Sequence, residues 1–126
     1  TLREKIGEDY PRETFRHEQD LLVTENGKTA LFAGCAHCGI VNILKSAEDV
    51  LGRAPDAVFA GFHLYNPSLG KSEPDELVDA VGEKLRGDKV AHYFTGHCTG
   101  KEAYERLKRK LGDRLGEMPA GSDFTV

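Results

Sequence analysis

The 126-residue chain has no tryptophan, one methionine and aromatic residues at only 8% of its positions. No stretch approaches the ~20 apolar residues that a membrane-spanning helix needs. No charged-then-apolar leader opens the sequence, so we expect neither a membrane anchor nor a secretory signal. The 17 Lys and Arg are outnumbered by 21 Asp and Glu, for a net charge of −4. We therefore expect no nucleic-acid partner, because phosphate binding needs a clustered basic face.

Cysteine is also scarce: the chain has three, too few for a disulfide-rich scaffold. An odd, small number of cysteines indicates a reducing compartment, and we expect a cytoplasmic protein. The length suits one domain over residues 1–126, with a charged lead-in segment over 1–18. The chain begins at Thr1, and its first residues look like the interior of a longer protein, so we expect a fragment of a domain.

Predicted strands and helices alternate along the sequence. An Asn26-Gly27 turn predicts a hairpin between its first two strands, since both residues tolerate positive φ. Apolar residues at helical spacing predict a first helix. Ser72 is predicted to cap the second helix, and Thr99 with Glu102 the third. The predicted strands cover 20–24, 29–33, 56–61 and 89–95, and the helices 40–51, about 73–86 and 100–111, with one more short strand in the tail. This order predicts an α/β layer with helices covering a sheet.

Three of the predicted strands end in loops that carry histidine. The loop over 34–39 has the sequence G-C-A-H-C-G, the loop over 96–100 has G-H-C-T-G, and the strand between them ends in G-F-H. Ligands bind at the carboxyl ends of strands in open α/β sheets. His37, His63 and His97 are therefore candidate metal ligands, since histidine is the commonest ligand type. Of the other two histidines, His92 is expected to pack on a strand and His17 to be solvated.

The cysteines of these loops allow two interpretations. Cys35 and Cys38 have the C-x-x-C spacing of a structural zinc knuckle, and His97 and Cys98 could complete it. Against this, a structural site normally lies on a tight loop, whereas this pair runs into an apolar helix. Each cysteine could otherwise be a small buried hydrophobe.

Four runs of the sequence together resemble the second half of the metallo-β-lactamase superfamily. They are F-R-H-E-Q-D-L-L-V, L-F-A-G-C-A-H-C-G-I-V-N-I-L, A-V-F-A-G-F-H-L and F-T-G-H-C-T-G, between Phe15 and Gly100. Within the superfamily they resemble the branch of metal-dependent hydrolases related to a dihydropterin–ribofuranosylaminobenzene phosphate synthase. The resemblance implies half of an αββα sandwich, with one mixed sheet and covering helices, and a two-metal site at the sheet edge.

By motif position, His37 resembles a ligand of the first metal and His97 a ligand of the second. The strand between them ends in His63 where the family has a bridging aspartate, so His63 is expected to bind metal or substrate. Cys35, Cys38 and Cys98 are expected to line the substrate site. The family's H-x-H-x-D-H motif does not occur in these 126 residues, so this chain supplies only part of the site.

The resemblance implies a metal-dependent hydrolase in which metal-activated hydroxide attacks an ester or phosphoester bond of a small molecule. The expected cofactor is a divalent metal, with zinc first and manganese or iron as alternatives.

One sheet face would be uncovered, so the expected partner is the missing N-terminal half or a second copy of the chain. This chain alone is expected to be inactive, and no catalytic acid or base is assigned. Glu18 is expected to be a structural hydrogen-bonding residue, and Asn42 to orient the first loop. The alternative is a non-catalytic zinc-binding or assembly module.

Overall fold

The structure, a computed structural model, describes residues 3–126, which form three α-helices and seven strands. The helices are α1 (Ile40–Leu51), α2 (Asp75–Gly87) and α3 (Lys101–Leu111). The strands are β1 (Leu21–Glu25), β2 (Lys28–Phe32), β3 (Ala57–Phe59), β4 (Tyr65–Asn66), β5 (Lys71–Ser72), β6 (His92–Thr95) and β7 (Leu115–Glu117). Over residues 3–126, no helix combines the length and the apolar character needed to cross a bilayer.

Five of the strands form one mixed sheet in the order β1-β2-β3-β6-β7. The pair β1–β2 is antiparallel, whereas β2–β3, β3–β6 and β6–β7 are parallel. A helix makes each parallel connection, as a parallel crossover requires. This architecture confirms the predicted α/β class with one mixed sheet and covering helices.

Local sequence signals set several element ends. The hairpin between β1 and β2 turns at Asn26 and Gly27, whose φ angles of 50° and 77° are those that a tight hairpin turn requires. Helix α1 begins and ends where the apolar spacing predicts. Gly52 ends it in the left-handed conformation and donates its N–H to the Glu48 carbonyl.

The hydrophobic core lies between the helices and one face of the sheet. Leu31, Val58, Tyr93 and Leu115, one from each parallel strand, are almost completely buried there. They pack in one cluster with buried side chains from all three helices: Ile40, Ile43, Leu44, Ala47, Val78, Leu85, Ala103, Leu107 and Leu111. Burial of one such aliphatic side chain stabilises the fold by about 1.5–3 kcal/mol.

The opposite face of the sheet carries a row of aromatic rings. Phe32, Phe59 and Phe94 occupy paired positions on β2, β3 and β6, and successive ring centroids lie 4.9 Å apart. Phe124 of the C-terminal tail packs on this row, 4.3 Å from the Phe94 ring. The face continues onto β1, where Leu21, paired with Phe32, is 58% exposed. An apolar surface thus remains uncovered on one side of the sheet.

Two local predictions are wrong and a third holds only in part. Ser72 lies in β5 and does not cap α2, which begins after Pro74 with no side-chain cap. Thr99 does not cap α3, which begins after Gly100. His92 stacks beside the Phe94 ring, with centroids 6.1 Å apart, as a packed strand residue would, but it remains exposed because it alternates with the buried Tyr93 and faces the uncovered side of the sheet. The sequence also predicts no strand between residue 61 and the second helix, where the structure has the short ribbon β4–β5.

Candidate metal centre

The three histidine loops lie at one edge of the sheet because β2, β3 and β6 are parallel and end together. Backbone hydrogen bonds extend the ladder beyond the strands: Ala33 N donates to Phe59 O at 2.9 Å and Ala60 N to Phe94 O at 3.0 Å. Gly61 N donates to Gly34 O at 2.8 Å, which joins the first loop to the second. The loops therefore begin from fixed positions.

His37 and His63 are in contact. Their ring centroids lie 4.5 Å apart in an edge-to-face arrangement, and the Phe15 ring lies 4.8 Å from His37 on another side. Burial and the neighbouring charge of His37 lower the pKa of His63. The neutral form is the one that binds metal. The structure thus brings together two of the three predicted histidine ligands.

Each histidine loop holds one non-glycine residue in the left-handed region. Ala36, His63 and His97 have φ angles of 51°, 50° and 50°. Such a conformation costs about 1–3 kcal/mol per residue and persists where the surroundings hold it. The concentration of this strain at the loop tips is typical of a functional site.

Glu18 fixes the first loop. Its Oε1 accepts the His37 N–H at 2.7 Å and its Oε2 accepts the Cys38 N–H at 2.8 Å. Burial opposes the charge of Glu18, but hydrogen bonds from the Cys38 thiol and from these two N–H groups outweigh it, so the pKa is lowered. Asn42 Nδ2 donates to the Cys38 carbonyl at 2.8 Å. Both side chains therefore have the structural roles predicted for them.

Thr99 fixes the third loop against the second, a contact that the sequence analysis missed. Its Oγ1 accepts the Phe62 N–H at 2.9 Å and shares a 2.6 Å hydrogen bond with the Thr95 hydroxyl. All three residues are buried. The helix-capping pattern around Thr99 concealed this role.

The cysteines divide between two surroundings. Ligand atoms of Cys35, His97 and Cys98 all lie within 4.8 Å of one another. Cys38 Sγ instead lies 3.8 Å from the Phe15 carbonyl oxygen and next to the Glu18 carboxylate. A hydrogen bond to Glu18, and then burial, raise the pKa of Cys38. The structure thus brings together three of the four residues of the zinc-knuckle interpretation.

Cys98 is held in a space that glycine provides. A Cβ atom on Gly61 would lie 2.6 Å from Cys98 Sγ, closer than such atoms approach, so a larger residue would displace the thiol. The thiol donates to the Cys35 carbonyl at 3.7 Å. Burial raises the pKa of Cys98 to about 11. The donors at this edge are imidazoles and thiols, a set that suits zinc.

Comparison with known proteins gives a consistent result. No family model matches the chain. A 7,8-dihydropterin-6-methyl-4-(β-D-ribofuranosyl)-aminobenzene-5′-phosphate synthase from Methanocaldococcus jannaschii is 30% identical over 101 residues, covering 79% of this chain and 32% of that protein. The crystal structure of Tm1679, a metal-dependent hydrolase of the β-lactamase superfamily, matches all of this chain with a TM-score of 0.84 and 23% identity.

The chain spans about a third of the length of the curated relative and 49% of the solved structure. The match over the whole chain shows the fold of half a metallo-β-lactamase domain. The resemblance inferred from the four sequence runs is confirmed, since one matched protein is a hydrolase of that superfamily and the other is a synthase of the kind that the runs resemble.

Proposed function

We propose that this chain is part of a metal-dependent hydrolase in which His37, His63 and His97 contribute metal ligands. The observation that carries the proposal is that these three histidines follow the carboxyl ends of three adjacent parallel strands, at one edge of the sheet. The contact between His37 and His63 supports a shared centre, because imidazoles that bind one centre must lie within a few ångströms.

The donor set fits a divalent metal, with zinc favoured by imidazole and thiol donors and with manganese or iron as alternatives. Such a metal would supply Lewis-acid activation of water and of an ester or phosphoester bond of a small-molecule substrate. The protein's own contribution is orientation. Glu18 and Thr99 hold the loops through hydrogen bonds to backbone N–H groups, and we infer that the exposed Cys38 contacts substrate.

The proposed partner is the rest of the same fold. The uncovered face with Leu21 and Phe32 is the side on which the second sheet of an αββα sandwich packs, and this chain corresponds to 49% of the solved structure. We infer that an N-terminal half covers this face and supplies the remaining ligands. A second copy of the chain is the alternative, and sedimentation of the chain alone distinguishes the two.

The test is hydrolysis of chromogenic ester and phosphodiester substrates by zinc-loaded chain, with and without the N-terminal half of the fold. We expect activity only with both halves, and its loss in His37→Ala and in His97→Ala. His17→Ala is the matched control, since the His17 side chain is 75% exposed and lies outside the three histidine loops. Metal binding without turnover under every condition would instead support the non-catalytic zinc-binding alternative.

A further inference from the structure

We propose that Cys35, His97 and Cys98 form a thiolate-containing site for zinc or a metal of similar preference, with two sulfur ligands and one nitrogen ligand. The site shares His97 with the proposed hydrolytic centre but stands on its own geometry, so it does not require hydrolysis. Cys38, despite its C-x-x-C spacing from Cys35, is not a member.

The distances are close to those that a bound metal needs. Tetrahedral zinc with Zn–S bonds of ~2.3 Å and Zn–N bonds of ~2.05 Å separates sulfur from nitrogen by ~3.6 Å and two sulfurs by ~3.8 Å. Cys35 Sγ lies 3.8 Å from His97 Nδ1, and no pair among the three ligand atoms exceeds 4.8 Å. Side-chain movements of about one ångström or less would bring the three ligand atoms to the distances that a bound metal requires.

Backbone features place these side chains independently of any ligand. The left-handed conformation of His97 turns the chain between two successive ligands, His97 and Cys98. Gly61 leaves the volume that the Cys98 thiol occupies, and its hydrogen bond to Gly34 O holds it next to Cys35. The arrangement therefore depends on all three loops.

The exposure of the three residues indicates an open rather than a closed site. Cys35 and Cys98 are half-buried, whereas His97 is exposed. Three protein ligands with a free position toward solvent are the pattern of catalytic zinc sites, whereas structural sites have four protein ligands. Two sulfur donors select zinc, cobalt or cadmium over magnesium, calcium or manganese. The fourth position would then be available to water or to substrate.

The experiment is titration of the purified chain with Co²⁺ under phosphine reductant, following thiolate-to-cobalt charge transfer. We expect the band in the wild-type chain and at least a ~10-fold loss of affinity in Cys35→Ser and in Cys98→Ser, since even residues that only orient ligands change affinity 10- to 100-fold. Cys38→Ser is the matched control and should keep the band. Far-UV circular dichroism verifies that each variant folds.

A second measurement avoids mutation. X-ray absorption of the zinc-loaded chain should give two sulfur neighbours at ~2.3 Å. A sulfur-free shell, or a charge-transfer band that Cys38→Ser abolishes and Cys98→Ser does not, would overturn the proposal. A band in the absence of any hydrolysis supports this site while the proposed function fails. Hydrolysis without a band supports the proposed function and overturns this site.

Discussion

Replacing Thr99 by valine removes one oxygen and keeps the shape of the side chain. That oxygen accepts the Phe62 N–H at 2.9 Å and bonds the Thr95 hydroxyl at 2.6 Å. Water cannot take its place, because Thr99 is 1% exposed and Thr95 is fully buried. An unpaired buried donor costs about 1–3 kcal/mol, and the hydroxyl pair adds to that loss. We therefore expect Thr99→Val to lower the free energy of unfolding by about 2–3 kcal/mol.

Urea unfolding followed by far-UV circular dichroism measures this change. With a slope of about 1–3 kcal/mol per molar urea, the midpoint should fall by about 0.7–3 M at unchanged slope. Thr99→Ser is the control, because it keeps the oxygen and loses one methyl group, which is worth about 0.8 kcal/mol. If the valine and serine variants unfold at the same urea concentration, the hydroxyl does not stabilise the loop contact, and the reasoning is refuted.

Two further predictions concern ion pairing and the uncovered sheet face. Hydrogen bonds and charge from Arg106 lower the Asp79 pKa from 3.8 to about 2, so the stability due to this pair is full above pH 3.8 and falls as the pH drops toward 2. The difference in unfolding midpoint between wild type and Asp79→Asn should shrink over that window, and a constant difference would contradict the assignment. Leu21→Lys should weaken association with the N-terminal half in sedimentation experiments, whereas Val50→Lys, on the exposed side of α1, should not. Equal effects would rule out this sheet face as the interface.

The fold was predictable where the signals are local. Both ends of helix α1 are marked in the sequence, since Gly39 and Gly52 flank an apolar pattern of helical spacing. The Asn26-Gly27 turn has few alternative conformations, so it fixes the β1–β2 hairpin. The α/β class follows from strands that alternate with helices.

The errors arise where a short polar side chain has two possible partners. Near a helix start, a hydroxyl can accept an N–H of that helix or of another segment. Thr99 bonds Phe62, 37 positions earlier in the chain, and this choice depends on the tertiary structure. Ser72 pairs through its backbone with Tyr65 in a two-residue ribbon, which is too short to give a periodic pattern.

The location of the candidate site was predictable from the sequence, but which of its side chains lie next to one another was not. The strand-end rule places His37, His63 and His97 at one edge, but sequence spacing treats Cys35 and Cys38 as a pair. The structure instead groups Cys35 with Cys98, 63 positions away, and turns Cys38 toward Phe15 and Glu18. Left-handed residues in the loops redirect the side chains, and sequence patterns do not reveal which non-glycine residues adopt that conformation.

The contacts that hold the loops also bear on how strongly the centre can bind. A flexible loop must be ordered when it binds, and that entropy loss weakens affinity. Here Glu18, Thr99 and the Gly61–Gly34 hydrogen bond already order the three loops within the folded chain. Folding therefore bears the strain of the left-handed residues, and a metal at the proposed centre would meet loops whose backbone is already ordered. It follows that changes at Glu18 or Thr99 should weaken metal binding although neither is a proposed metal ligand.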